Sequence, residues 1–109
     1  MQKWVFSLIW PLALLLSVIA GQASAEQIII TEKDLKFSTP MKVIHPGDKV
    51  IFQNNDNVSH NIVSLTPEFK FDLGVLASGQ SKSVTFKEKG VADVQCTIHP
   101  GMKMTLFVF

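Results

Sequence analysis

"GVADVQCTIHPGMKMTLFVF", residues 90–109, holds most of the structural information in the chain. From Val91 to Cys96 the residues alternate, with Ala92, Val94 and Cys96 on one face and Asp93 and Gln95 on the other. From Lys103 to Phe109 they alternate again, placing Met104, Leu106 and Val108 inward and Phe107 and Phe109 on the opposite face, where they cover an edge or form an apolar patch. A period of two is the signature of a strand buried on one side. Between the two strands lies Cys96-Thr97-Ile98-His99-Pro100-Gly101-Met102. Proline restricts φ and glycine tolerates positive φ, so Pro100-Gly101 predicts a sharp reversal that returns Met102 toward Cys96 and His99.

Working back from this stretch, short runs rich in Val, Ile and Phe recur with turn residues between them. "QIIIT" (27–31), "LKFS" (35–38), "MKVI" (41–44), "KVIFQN" (49–54), "VSHNIVS" (58–64) and "SKSVTFK" (81–87) read as strands. Val50 and Phe52 are expected inward, as are Val84 and Phe86, with Lys82 and Lys87 outward. "NNDN" (54–57) and "EKG" (88–90) read as turns, and residues 65–80 as a long connection in which "TPEF" makes at most a single helical turn. About seven short strands without sustained helical periodicity predict an all-β sandwich or barrel.

The first 25 residues differ in kind. Lys3 precedes an uncharged apolar run, "VFSLIWPLALLLSVIAG", and Ala23 and Ala25 follow in a small-x-small pattern. This order predicts a secretory signal peptide over 1–25 and a single mature domain over 26–109. The rival reading is a membrane anchor, although the run is near the short end for a span and is interrupted by Pro11. From Glu26 onward nine basic residues face nine acidic ones and no basic run appears, which argues against nucleic acid or an anionic membrane surface as partner. Cys96 is the sole cysteine, so no internal disulfide is possible. A lone thiol in an exported protein is either buried and inert or occupied.

Its neighbours favour occupation. Cys96, His99 and Met102 form C-x-x-H-x-x-M, and His60 lies upstream at the start of another strand. One thiolate, two imidazoles and one thioether suit copper in both of its common oxidation states, because the sulfurs favour Cu(I) and the imidazoles serve both. Taken singly, His60 reads as a strand-end histidine, His99 as a turn residue and Met102 as core; the joint set makes metal binding the better reading. Asn61 is placed to hydrogen-bond toward the Cys96 loop and tie the two segments together. Met104, in phase with Leu106 and Val108, reads as core.

"DNVSHNIVS" and "KGVADVQCTIHPGM", with the β-rich frame, resemble the cupredoxins, the small blue copper proteins. The short spacing between Cys96 and Met102 is similar to the amicyanin-like members and to a group associated with methylamine utilisation. The resemblance runs from the "PGDKV" turn at 46–50 to the end of the chain. It implies a Greek-key β-sandwich of about seven to eight strands and one type 1 copper ion held by His60, Cys96, His99 and Met102. It also implies a small periplasmic electron carrier rather than an enzyme, probing its redox partner protein in transient encounters as a monomer with no membrane span after signal cleavage. Ala92 and Val94 depart from the family, which often carries an aromatic two or four residues before the cysteine.

A copper chaperone using the same ligands is the alternative function. A thiol enzyme with Cys96 as nucleophile and His99 as base lacks an orienting acid and leaves Met102 without a role; a zinc site fits Met102 poorly. The echo "VIHPGDKV" (43–50) has no cysteine before His45 and Asp48 where the other copy has Met102, so His45 reads as a solvent-facing turn residue.

Overall fold

The alternations in the sequence become the inner faces of two sheets. The computed structural model describes residues 2–4 and 24–109; all but residues 2–4, 24 and 25 of the expected signal segment 1–25 lie outside the described residues. Nine strands follow in order: β1 (Gln27–Lys33), β2 (Lys36–Phe37), β3 (Met41–Ile44), β4 (Lys49–Asn54), β5 (His60–Ser64), β6 (Phe71–Leu76), β7 (Ser81–Thr85), β8 (Gly90–Gln95) and β9 (Lys103–Val108). One sheet has the order β2-β1-β4-β7 and the other β3-β9-β8-β5-β6. β1 runs parallel to β4 and β3 parallel to β9, while the other pairs are antiparallel. The chain passes repeatedly from one sheet to the other, as the expected Greek-key sandwich requires. Among the described residues no helix is long and apolar enough to cross a membrane.

The core lies between the sheets. Val50 and Phe52 of β4 face Ile62, Leu76, Val94 and Leu106, all at most 1 % exposed. Each such side chain contributes about 1.5–3 kcal/mol of burial free energy. Met104 is 3 % exposed and belongs to this core, as its phase with Leu106 predicts. Phe107 and Phe109 stack on the outer face with centroids 6.3 Å apart, and Phe109 is 57 % exposed.

Two expectations are corrected. The 65–80 connection contains, besides a single 3₁₀ turn at Pro67–Phe69, a full strand, β6. Its sequence, FDLGVL, hides the alternation because the register with β5 shifts between Asn61 and Val63, a bulge that breaks the period of two. Lys82 is exposed, but its register does not place it on the outer face. It stands opposite Phe52, on the same face as Val84, and its Nζ reaches the free edge of β6, donating to the Leu73 carbonyl at 2.8 Å. Lys87 is exposed as expected.

β8 begins at Gly90, with φ of +152°, and a Cβ there would overlap the Phe69 ring that the 3₁₀ turn lays against the core. Both the backbone conformation and the close approach exclude a side chain. Gly90→Ala is therefore expected to lower stability by about 1–3 kcal/mol, the usual cost of forcing an extra group into a packed site. Chemical denaturation of the two proteins measures it.

Candidate metal centre

At one end of the sandwich, β5 and the loop between β8 and β9 bring together residues far apart in sequence. The Nδ1 atoms of His60 and His99 are 3.0 Å apart, and each is 3.8 Å from Cys96 Sγ. The three donor atoms all lie within 4.8 Å of one another. His60 and Cys96 are buried and His99 is half-buried, so the imidazole of His99 is the part of the cluster that solvent reaches. Met102, the fourth residue singled out in the sequence, is 2 % exposed within the same loop.

The loop is held by its own backbone. Cys96 N–H donates to the Met102 carbonyl at 3.0 Å, and Met102 N–H donates to the His99 carbonyl at 3.1 Å. Gly101 makes this closure possible, with φ of +133°, a region that side chains rarely adopt. Asn61 supplies the tie across strands that its position suggests. Its Oδ1 accepts from Thr97 N–H at 2.7 Å, its Nδ2 donates to Thr97 Oγ1 at 2.6 Å, and its own N–H points at Cys96 Sγ from 3.5 Å.

Three residues behind His60 were not singled out in the sequence. Asp56 Oδ2 lies 2.6 Å from His60 Nε2. Asp34 N–H and Leu35 N–H donate to the same carboxylate. Burial alone would raise the Asp56 carboxyl, but the bonds from His60, Leu35 and Asp34 outweigh it and hold the group below the usual carboxylate range. Asn54, fully buried at the end of β4, donates to the Val58 and Leu76 carbonyls and accepts from Asp56 N–H, which shapes the 54–58 turn. Glu32 stands opposite Asn54 on β1, is fully buried, and neither of its carboxyl oxygens has a hydrogen-bond partner. A signal for Glu32 was present: it has the parity of Ile28 and Ile30. Asp56 sits in an irregular turn, where parity says nothing.

The donor set fits copper. It combines one cysteine sulfur, two imidazole nitrogens and a buried thioether in a loop fixed by hydrogen bonds. His45, the histidine of the other Pro-Gly turn, lies outside the cluster; it is exposed, and its Nδ1 is 2.6 Å from the Phe109 carbonyl.

A family model described as copper binding proteins, plastocyanin/azurin family, matches residues 25–109. Amicyanin of Paracoccus versutus is 28% identical over 94 residues, which cover 84% of this chain and 71% of that protein. Chloroplastic plastocyanin of Silene latifolia subsp. alba is 30% identical over 100 residues, covering 80% of this chain; the chain spans 61% of that protein's length. The crystal structure of amicyanin from Paracoccus versutus superimposes with a TM-score of 0.70 at 28% identity, covering 80% of this chain and 83% of that one.

Burial pushes Glu32 up from its ordinary 4.5 to about 7; His60 pulls it down and Asp56 pushes it further up. The folded chain therefore holds this proton more tightly than the unfolded chain. The contribution of Glu32 to stability is present in full below about pH 4.5 and is lost as pH rises through 7. Glu32→Gln should flatten that slope in the metal-free protein and gain up to about 3 kcal/mol over wild type at pH 8, at 1.36 kcal/mol per pKa unit. Denaturation midpoints measured from pH 4 to 8 test this.

Proposed function

Because the chain belongs to the plastocyanin/azurin family of copper-binding proteins, we propose that it is an exported, single-copper electron carrier whose ion is held by His60, Cys96, His99 and Met102. The observation that carries this reading is the convergence of two imidazole nitrogens and a thiol sulfur within 4.8 Å at one end of the sandwich. When bound, copper supplies a one-electron change between Cu(II) and Cu(I). The chain's part is to hold soft and imidazole donors together so that neither oxidation state demands much movement. Backbone bonds within the 96–102 loop and the Asn61 tie keep the donors in place. Burial of His60, Cys96 and Met102 keeps water from them.

The half-buried His99 is the route by which an electron enters or leaves. Ile98, 47 % exposed, and Pro100 give its surroundings an apolar character suited to brief contact with a redox partner protein. With nine basic and nine acidic residues from Glu26 onward, long-range electrostatic steering contributes little. Buried donors favour retention of the ion over its transfer to another protein, which sets this reading ahead of a copper chaperone. The basic, apolar and small-residue order of residues 1–25 supports export to the periplasm with removal of that segment, leaving a monomeric domain.

Two measurements check these statements. The purified 26–109 protein loaded with Cu(II) should show an intense visible thiolate-to-copper band that Cys96→Ser abolishes; a colourless wild type would sink the electron-carrier reading. The intact mass of the protein recovered from the periplasm should correspond to a chain beginning at Glu26, and a full-length mass in the membrane fraction would favour an anchor.

A further inference from the structure

The carboxylate of Asp56 makes more contacts than a turn residue requires. Its Oδ1 accepts from Asp34 N–H at 2.6 Å, and its Oδ2 accepts from Leu35 N–H at 3.1 Å and lies 2.6 Å from His60 Nε2. Asp34 and Leu35 have φ of +54° and +59°, a left-handed pair unusual for residues with side chains. That conformation aims two successive N–H groups at one carboxylate. From the other side, Asp56 N–H donates to Asn54 Oδ1, and Ser78 Oγ donates to the Asp56 carbonyl. The side chain is thus fixed from the β1–β2 turn and its backbone from the β4 end, before His60 is considered.

An imidazole facing a carboxylate has little choice. The carboxylate only accepts, so Nε2 must carry the proton, and in the neutral ring Nδ1 then keeps its lone pair. Nδ1 is the atom that faces Cys96 Sγ and His99 Nδ1. We propose that Asp56 is a positioning residue for the metal centre: it fixes the tautomer and ring orientation of His60 and strengthens Nδ1 as a donor. The metal half of this inference rests on the reading of His60 as a ligand, while the tautomer half stands on the chain alone. In the metal-free protein the 3.0 Å contact between the histidines is then donated by His99 Nδ1–H and accepted by His60 Nδ1.

A carboxylate behind a ligating histidine places negative charge next to the centre and favours the more highly charged oxidation state. Removing it should weaken Cu(II) more than Cu(I) and raise the reduction potential. Loss of such a partner typically costs 10- to 100-fold in metal affinity.

The test has two arms. Nitrogen NMR of the metal-free wild-type protein, above the pH at which its histidines are protonated, should show His60 with a protonated Nε2 and an unprotonated Nδ1. The opposite tautomer, or a mixture, overturns the proposal without any variant having to fold. Asp56→Asn should then lower Cu(II) affinity by 10- to 100-fold in competition titrations and raise the reduction potential. Asp56→Glu, which keeps the charge, should recover part of both. A folded Asp56→Asn protein with unchanged affinity and potential would show a purely structural residue and overturn the donor effect. If the wild type shows no thiolate-to-copper band, the electron-carrier reading fails separately, and the NMR result still decides the tautomer.

Discussion

The side chain of Asn61 holds two segments of the chain 36 residues apart at one point, and the candidate centre depends on that hold. Its carbonyl receives Thr97 N–H and its amide reaches Thr97 Oγ1, so the start of the 96–102 loop is fastened to β5 next to His60. Neither strand alone fixes the separation between His60 and Cys96. The sheet sets which residues are neighbours, but the irregular register between β5 and β6 shows that β5 is not a uniform frame here. A short, two-way side-chain clasp adds the precision that a coordination site needs, since donors must be held to within a fraction of an ångström.

Much of this was legible in residue order. Parity along 91–96 and 103–109 predicted the inner faces of β8 and β9, and residue type and spacing singled out His60, Cys96 and His99, which the fold brings together, with Met102 buried in the same loop. Pro100-Gly101 announced a reversal, and Gly101 does adopt positive φ. What escaped has physical reasons. β6 was hidden because a bulge in its pairing and the polar Asp72 break the period of two. Lys82 was misplaced because a lysine reads as outward, although it shares parity with Val84. The polar cluster of Glu32, Asn54 and Asp56 is obscured for the same chemical reason, since acids and amides are expected outside; Glu32 and Asn54 nonetheless share parity with buried neighbours, and only for Asp56, in an irregular turn, do tertiary contacts alone show burial.

That cluster gives the end of the core near His60 an unusual character. Burying polar groups costs stability unless they find partners. Asn54 and Asp56 find them in the backbone of neighbouring turns, whereas Glu32 finds none and avoids the cost of a buried charge by holding its proton to higher pH. Ala92 and Val94, small and aliphatic, stand in the same core on β8. The fold thus tolerates polar surroundings on one side of its cysteine strand and modest side chains along that strand itself.

A sandwich with open sheets also exposes strand edges to other chains. β6 is one such edge, and Lys82 Nζ occupies its outward carbonyl at Leu73, with Val75 O at 3.5 Å. A charged amine seated on an edge carbonyl removes an acceptor that an incoming strand would need and leaves a positive charge in its path. β3, the opposite edge, is only four residues long and carries Lys42 between Met41 and Val43. Both edges of this five-stranded sheet therefore carry a feature that discourages pairing with an incoming strand.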